Sequence, residues 1–320
     1  MGTPVIAHSP RLLTALFLAC AAAAQTEAPP APPPAGPGRA LTPEQVAERL
    51  ATFKTGLLPQ VMPPKIATDE QARAKYLAKW QAVMSEHYLL FTNGPTTTCR
   101  KYAVSLERLY EYVQKELPFE DVDHLLPCYI FATREEYFAF CVQIVGWSPE
   151  AARATAGHAT AAYYATYYES PTAPVVFHEA THQIVGACLK VSGVGSWFQE
   201  GLAVYFEKKT SGEKPAGTIK NDLKRGDCYP LTEFFAIPVL LSDPKGNGSR
   251  NYAHAGALLD FLINTKLPPV AGRFPKFLEA ARAGRGFGRG AEVSARLVKD
   301  VYGLTVPELE ALWRQHVGVK

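Results

Sequence analysis

The chain has 320 residues, 47% of them hydrophobic and 20% charged, an ordinary balance for a protein that buries a core. Its formal net charge is +3, from 33 Lys and Arg against 30 Asp and Glu. That is too even to expect nucleic acid or an anionic membrane surface as its partner. No apolar run reaches the ~18–20 residues of a membrane-spanning helix.

Met1–Arg11 is a short basic head, and Leu12–Ala24 (LLTALFLACAAAA) is an apolar stretch with the length of a signal-peptide core. Ala22-Ala23-Ala24 fits the small-residue cleavage pattern, so residues 1–24 are expected to be a signal peptide. Phe17-Leu18-Ala19-Cys20 offers the alternative of a lipoprotein box, with Cys20 as a lipid anchor and Phe where Leu is commonest. The chain is therefore expected to be secreted or held in the cell envelope. Residues 28–38 (APPAPPPAGPG) block both helix and sheet pairing and read as a stiff spacer. Residues 25–64 are taken as linker and lead-in, and 65–320 as the folded domain.

Residues 69–86 carry Tyr76, Trp80, Val83 and Met84 at helical spacing and predict a helix. His87–Thr92 predicts a strand, 97–117 a helix, Leu125–Ala132 a strand and 133–145 a helix. Pro127 places the second strand near an edge or makes its start irregular. Ser148-Pro149-Glu150 has the form of a helix start. Gly157–Tyr168 reads as one strand or a hairpin. Beyond residue 174 the pattern is helical, with helices expected at 174–190, 196–208, 230–241, 250–265, 273–283, 290–301 and 305–317. The 209–229 and 242–249 segments read as loops, as does the glycine-rich Gly284–Gly290 run. The expected fold class is α+β: a small mixed sheet with helices over about 65–170, then a helical lobe over about 171–320.

Cys99, Cys128, Cys141, Cys188 and Cys228 form no CxxC pair, so a cysteine zinc cluster is not expected. Up to two disulfides or buried free thiols fit the sequence equally.

His178-Glu179-Ala180-Thr181-His182 is an HExxH motif inside a predicted helix. Two histidines four residues apart share one helical face, so both imidazoles can reach one Zn²⁺. Glu179 can then act on a water at the metal's open position. Val175, Val176, Phe177, Ile184 and Val185 flank the motif, and polar groups set in an apolar helix need partners. Further on, Trp197–Phe206 (WFQEGLAVYF) carries Glu200 on a second helix, where it can complete a His₂Glu ligand set.

With HEATH and WFQEGLAVYFE, the sequence resembles the gluzincin metallopeptidases, and most closely their uncharacterised secreted bacterial families. The resemblance covers roughly residues 85–315 and, outside the two motifs, rests on element order. It implies that His178, His182 and Glu200 are zinc ligands and Glu179 the general base. The glutamate comes one or two residues sooner than in the best-known groups. A metzincin reading fails, because Gly186 is one residue late and Cys188 stands where a third histidine belongs. A deformylase-like site fails too, for want of a ligand cysteine in its own glycine motif.

A peptidase also needs a donor for the tetrahedral oxyanion. Tyr252 and His254, in Asn251–Gly256 (NYAHAG), are the candidates, since gluzincins often bring a Tyr or His from the helical lobe. The Gly157–Tyr168 segment lies just before the zinc helix, where the resemblance implies an edge strand that binds an extended substrate by backbone pairing. His87, His124, His158 and His316 are left as structural or solvated. The expected function is a monomeric, exported zinc metallopeptidase, endopeptidase-like, with a peptide or protein substrate. The alternative is a non-catalytic binding module that keeps the zincin shell.

Overall fold

Thr42 starts the first helix through a capping box. Its hydroxyl accepts from the Gln45 N–H, and the Gln45 side chain accepts from the Thr42 N–H. The structure is a computed structural model describing residues 40–167, 170–215, 219–243, 245–284 and 290–319. The expected signal peptide, the Cys20 lipobox, the Pro-rich spacer and most of the Gly284–Gly290 run lie outside these residues.

In chain order the elements begin with helices α1 (Pro43–Gly56), α2 (Leu58–Val61), α3 (Pro64–Ala67) and α4 (Glu70–Lys79), then strands β1 (Gln81–Met84) and β2 (Tyr88–Thr92). Helix α5 (Thr96–Glu116), β3 (Leu126–Phe131), α6 (Arg134–Gln143), α7 (Pro149–Arg153), β4 (Gly157–Ala159) and β5 (Tyr164–Tyr167) follow. The rest is helical: α8 (Pro174–Ile184) running into a π-helical turn (Val185–Leu189), α9 (Ser196–Thr210), α10 (Ile219–Arg225), α11 (Leu231–Phe234), α12 (Gly248–Asn264), α13 (Phe274–Ala283), α14 (Gly290–Tyr302) and α15 (Val306–His316). The class is α+β, as expected.

The sheet order is β1-β2-β3-β5-β4. Strands β2, β3 and β5 are parallel, and the two outer strands run antiparallel to their neighbours. Strand alternation divides the core in two. Tyr88, Leu90, Cys128, Ile130 and Tyr164 face α5 and α8 and join the core of the helical lobe. Leu89, Phe91, Tyr129, Phe131 and Ala165 face α1 and α6. Helix α8 is thus packed on the sheet on one side and on α9 on the other.

Several expectations are corrected. Helix 69–86 stops at Lys79 and continues as β1. Trp80 breaks it: its buried ring packs on Phe53 at 5.0 Å and Phe131 at 5.6 Å, and this tertiary packing overrides helical periodicity. Residues 43–67 are helical, not a loose lead-in, and Phe53 stacks on Phe91 and Tyr129. Strand β3 is central, not an edge. Leu126 N–H donates to His87 O just before β2, so the nitrogen of Pro127 faces the β5 side, where pairing starts only at Cys128. No ladder bond is lost there. Helix 230–241 shrinks to α11 because Pro238 disfavours helix at the residue before it. Within the expected loop 209–229, Ile219 and Leu223 bury one face of α10. The predicted 157–168 segment is the β4–β5 hairpin up to Tyr167, and Tyr168 lies outside the described residues. The five cysteines among the described residues are free thiols.

Candidate metal centre

Pro174 occupies the first turn of α8, where its missing N–H costs nothing. Val176, Phe177, Ala180 and Ile184 bury one face of that helix in the core. The same burial carries His178 and Glu179 inward, both 1% exposed. His182, one turn on, keeps its side chain 12% exposed and marks the side open to solvent.

Helix α9 supplies the carboxylates. It packs closely on α12: a Cβ at Gly201 would lie 2.6 Å from a Leu259 methyl carbon and 2.9 Å from the Ala255 carbonyl oxygen. Gly201 thus permits the close approach of α9 to α12. Glu200, beside it, is buried and points at both histidines. Its Oε2 lies 3.2 Å from His178 Nε2 and 3.4 Å from His182 Nε2. The donor atoms of His178, His182 and Glu200 all fall within 4.8 Å of one another, a group that could hold a metal ion. His182 Nε2 is buried, and its near acceptor among the described residues, Glu200 Oε2 at 3.4 Å, is shared with His178 and is not aligned as a full hydrogen bond. A buried nitrogen with only a shared, poorly aligned partner is costly, and a metal ion would satisfy it more fully.

The sequence reading missed Glu207. Its Oε2 lies 3.0 Å from His178 Nδ1, on the side of the ring away from Glu200. Such a carboxylate fixes the ring orientation and leaves Nε2 aimed at the shared centre. Glu200 and Glu207 are seven residues apart, two turns of one helix face, and this spacing was the signal available in the sequence.

The electrostatics agree with a cation-seeking site. Burial works against a charged His178, but the hydrogen-bonded Glu200 and Glu207 and the nearby Glu179 outweigh it and raise its pKa to about 10. Burial likewise opposes ionisation of Glu200, yet His182 and His178 hold its carboxyl well below the usual range. A proton on His178 and a metal ion are alternative answers to the same negative surroundings, and metal binding releases that proton.

Tyr252, on α12, reaches the site. Its ring stacks on His178 with centroids 5.9 Å apart. His254 does not. Its ring is sandwiched between Phe234 at 3.9 Å and Trp313 at 4.7 Å, within 8° of parallel to each. Two residues along a helix is a rotation of about 200°, so Tyr252 and His254 face opposite ways. The expectation that His254 serves the site is corrected on this ground.

His87, His124, His158 and His316 are structural or solvated. His87 pairs with Glu107 at 2.6 Å, and His158 lies between the hydroxyls of Tyr137 and Tyr163. His124 sits at the surface beside Asp123, and His316 is exposed. No helix of the described residues is long and apolar enough to cross a membrane. Compared with known proteins, the chain matches no family model and no curated protein.

Proposed function

We propose that the chain is an exported, zinc-dependent peptidase of the gluzincin type. The observation that carries the reading is the convergence of His178, His182 and Glu200, with Glu179 buried next to the first ligand. For Zn–N and Zn–O bonds of about 2.0–2.1 Å, the edge of a tetrahedron is about 3.3 Å. The separations of 3.2 and 3.4 Å from Glu200 to the two histidines match that edge. Two imidazoles and one carboxylate are a catalytic zinc donor set, and three protein ligands leave a fourth position for water or substrate. A purely structural zinc would call for a fourth protein ligand.

Bound zinc would supply Lewis-acid polarisation and a water of lowered pKa. The chain's own residues do the rest. Glu179 accepts the proton of the attacking water and passes it to the leaving amine nitrogen. Glu207 holds the His178 ring through Nδ1. Tyr252 donates its hydroxyl hydrogen to the oxyanion that develops on the substrate carbonyl.

An extended peptide fits the edge of the sheet. The N–H and C=O of Gly157 both bond the Thr155 hydroxyl, away from β5. By the alternation of an antiparallel ladder, the N–H and C=O of Ala159 also face outward. Their outward direction is the one a substrate backbone would pair with, which favours an endopeptidase-like binding mode. Export rests on the Leu12–Ala24 stretch, with Cys20 as the alternative lipid anchor.

The test is Glu179→Gln, with metal content and peptide cleavage measured together. Zinc should be retained and cleavage of a mixed peptide pool lost. Cleavage that survives the substitution rules the mechanism out.

A further inference from the structure

Helix α12 carries Tyr252 and packs on α9, which carries Glu200. Two holds fix one helix on the other. The first is a glycine contact. A Cβ at Gly256 would lie 2.5 Å from a Val204 methyl carbon, and one at Gly201 would meet α12 as closely, so the helices have no room to shift there. The second is Asn251, a polar side chain only 2% exposed. Its amide nitrogen donates to the Leu240 carbonyl at 3.3 Å and to Asp243 Oδ2 at 3.1 Å. The Leu240 N–H in turn donates to Ser196 Oγ at 3.3 Å. Ser196 opens α9, one turn before Glu200 on the same face. Leu240 thus bridges the first turns of the two helices, its N–H towards α9 and its C=O towards α12.

Asp243 is itself buried, and its other oxygen accepts from the Tyr229 hydroxyl at 2.7 Å and the Lys245 N–H at 3.0 Å. Burial opposes its charge, but these donors and the Asn251 amide hold its carboxyl below the usual range. Facing an ionised carboxylate and a carbonyl, Asn251 has to present its NH₂ to both, which fixes its amide. Asn247, at the start of α12, makes no side-chain cap bond among the described residues. The first turn of α12 is therefore held from outside, by Asn251 on the buried side and by Arg250, which bonds the Asp227 carbonyl. Tyr252 lies between the two holds, next to Asn251 and one turn from Gly256.

The structure assigns Asn251 as a positioning residue for Tyr252: its amide, seated on Leu240 and Asp243, sets where the tyrosine ring and hydroxyl stand against His178 and Glu200. For turnover the inference rests on the reading of Tyr252 as oxyanion donor. For the place of the ring, whose stack on His178 is independent of any reaction, it does not.

The test compares Asn251→Ala with Asn264→Ala in the full chain. Asn264 ties the far end of α12 to α9, its amide donating to the Tyr205 hydroxyl at 3.1 Å, so it reports general loosening of the pair. The first readout is NMR of the metal-free chain with labelled histidine, in which the His178 ring signal is identified as the one that moves in Tyr252→Ala. The second is kcat and KM of the zinc-loaded chain on a peptide that the wild type cleaves, with Tyr252→Phe and the Asn251→Ala, Tyr252→Phe double variant alongside. Asn251→Ala should move the His178 signal towards its Tyr252→Ala position and lower kcat about tenfold, with KM and zinc affinity little changed. Asn264→Ala should match the wild type in both readouts. The double variant should be no slower than Tyr252→Phe alone, because the two residues act as a unit. An unmoved His178 signal in folded Asn251→Ala overturns the inference, and so does an equal change in Asn264→Ala or a fully multiplied loss in the double variant. Should Asn251→Ala fail to fold, Ser196→Ala, which removes only the acceptor of the Leu240 N–H, takes its place: a smaller shift in the same direction supports the inference and an unmoved signal overturns it. A wild type that cleaves no peptide removes the peptidase reading, while the His178 signal still decides the positioning.

Discussion

His254→Phe tests whether the ring between Phe234 and Trp313 is a packing element. His254 is 1% exposed, and neither ring nitrogen has a partner among the described residues. Leaving a buried polar atom unmatched costs about 1–3 kcal/mol. Phenylalanine keeps the stack and removes both nitrogens, but it adds bulk in a tight slot, which returns part of the gain. The net expectation at pH 7 is a stabilisation of about 1 kcal/mol. Burial, reinforced by the Arg314 charge, pushes the His254 pKa down to about 3. An unfolded histidine titrates near 6.5, so below that pH the unfolded chain takes up a proton that the folded chain refuses. The wild type is therefore unpenalised above about pH 6.5 and loses stability as the pH falls towards 3. By pH 5 the loss from this one residue is about 2 kcal/mol, and His254→Phe abolishes it. The assay is urea unfolding of metal-free wild type and variant, followed by tryptophan fluorescence at pH 7 and pH 5. The variant's advantage should grow by about 2 kcal/mol between the two conditions. An advantage that does not change with pH, or a variant less stable at both, refutes the reasoning. Loss of peptide cleavage by a well-folded variant would return His254 to the catalytic site.

Two further outcomes follow from the same geometry. Glu207→Ala should weaken zinc binding about 10–100-fold, because the His178 ring loses the acceptor that fixes it; a competition titration with a chromogenic chelator measures this. An unchanged affinity would mean that the Glu207 contact is incidental. Tyr252→Phe should keep zinc and keep its stack on His178, yet lower turnover about 10²-fold with little change in KM. A loss below threefold would remove Tyr252 from the reaction.

The His178, His182 and Glu200 group, which could hold a metal ion, was legible in the sequence because its spacing is fixed by the helix. His178 and His182 share a face in any helix, and Glu200 needed only a short turn before α9. Glu207 was harder, because choosing a partner for His178 Nδ1 requires knowing which face of α9 meets α8. The opposite holds for His254. Its two-residue offset from Tyr252 on one helix already excluded a shared site, and the attraction of a histidine near a loop hid that geometry. In the fold, the strands and long amphipathic helices were legible from their periods. The failures fall where packing decides: Trp80 ends a helix by entering an aromatic cluster, and Phe53 recruits residues 43–56 to the core. Pro127 enters a central strand because its neighbour β5 starts one residue later. None of these is encoded within a local window.

The central claim is a His₂Glu zinc site, and zinc per chain tests it most directly, in the wild type and in Glu200→Ala side by side. The account predicts about one zinc bound in the wild type and a loss or strong weakening in the variant. A wild type that takes up no zinc when it is supplied, or a variant that binds it as tightly, contradicts the account.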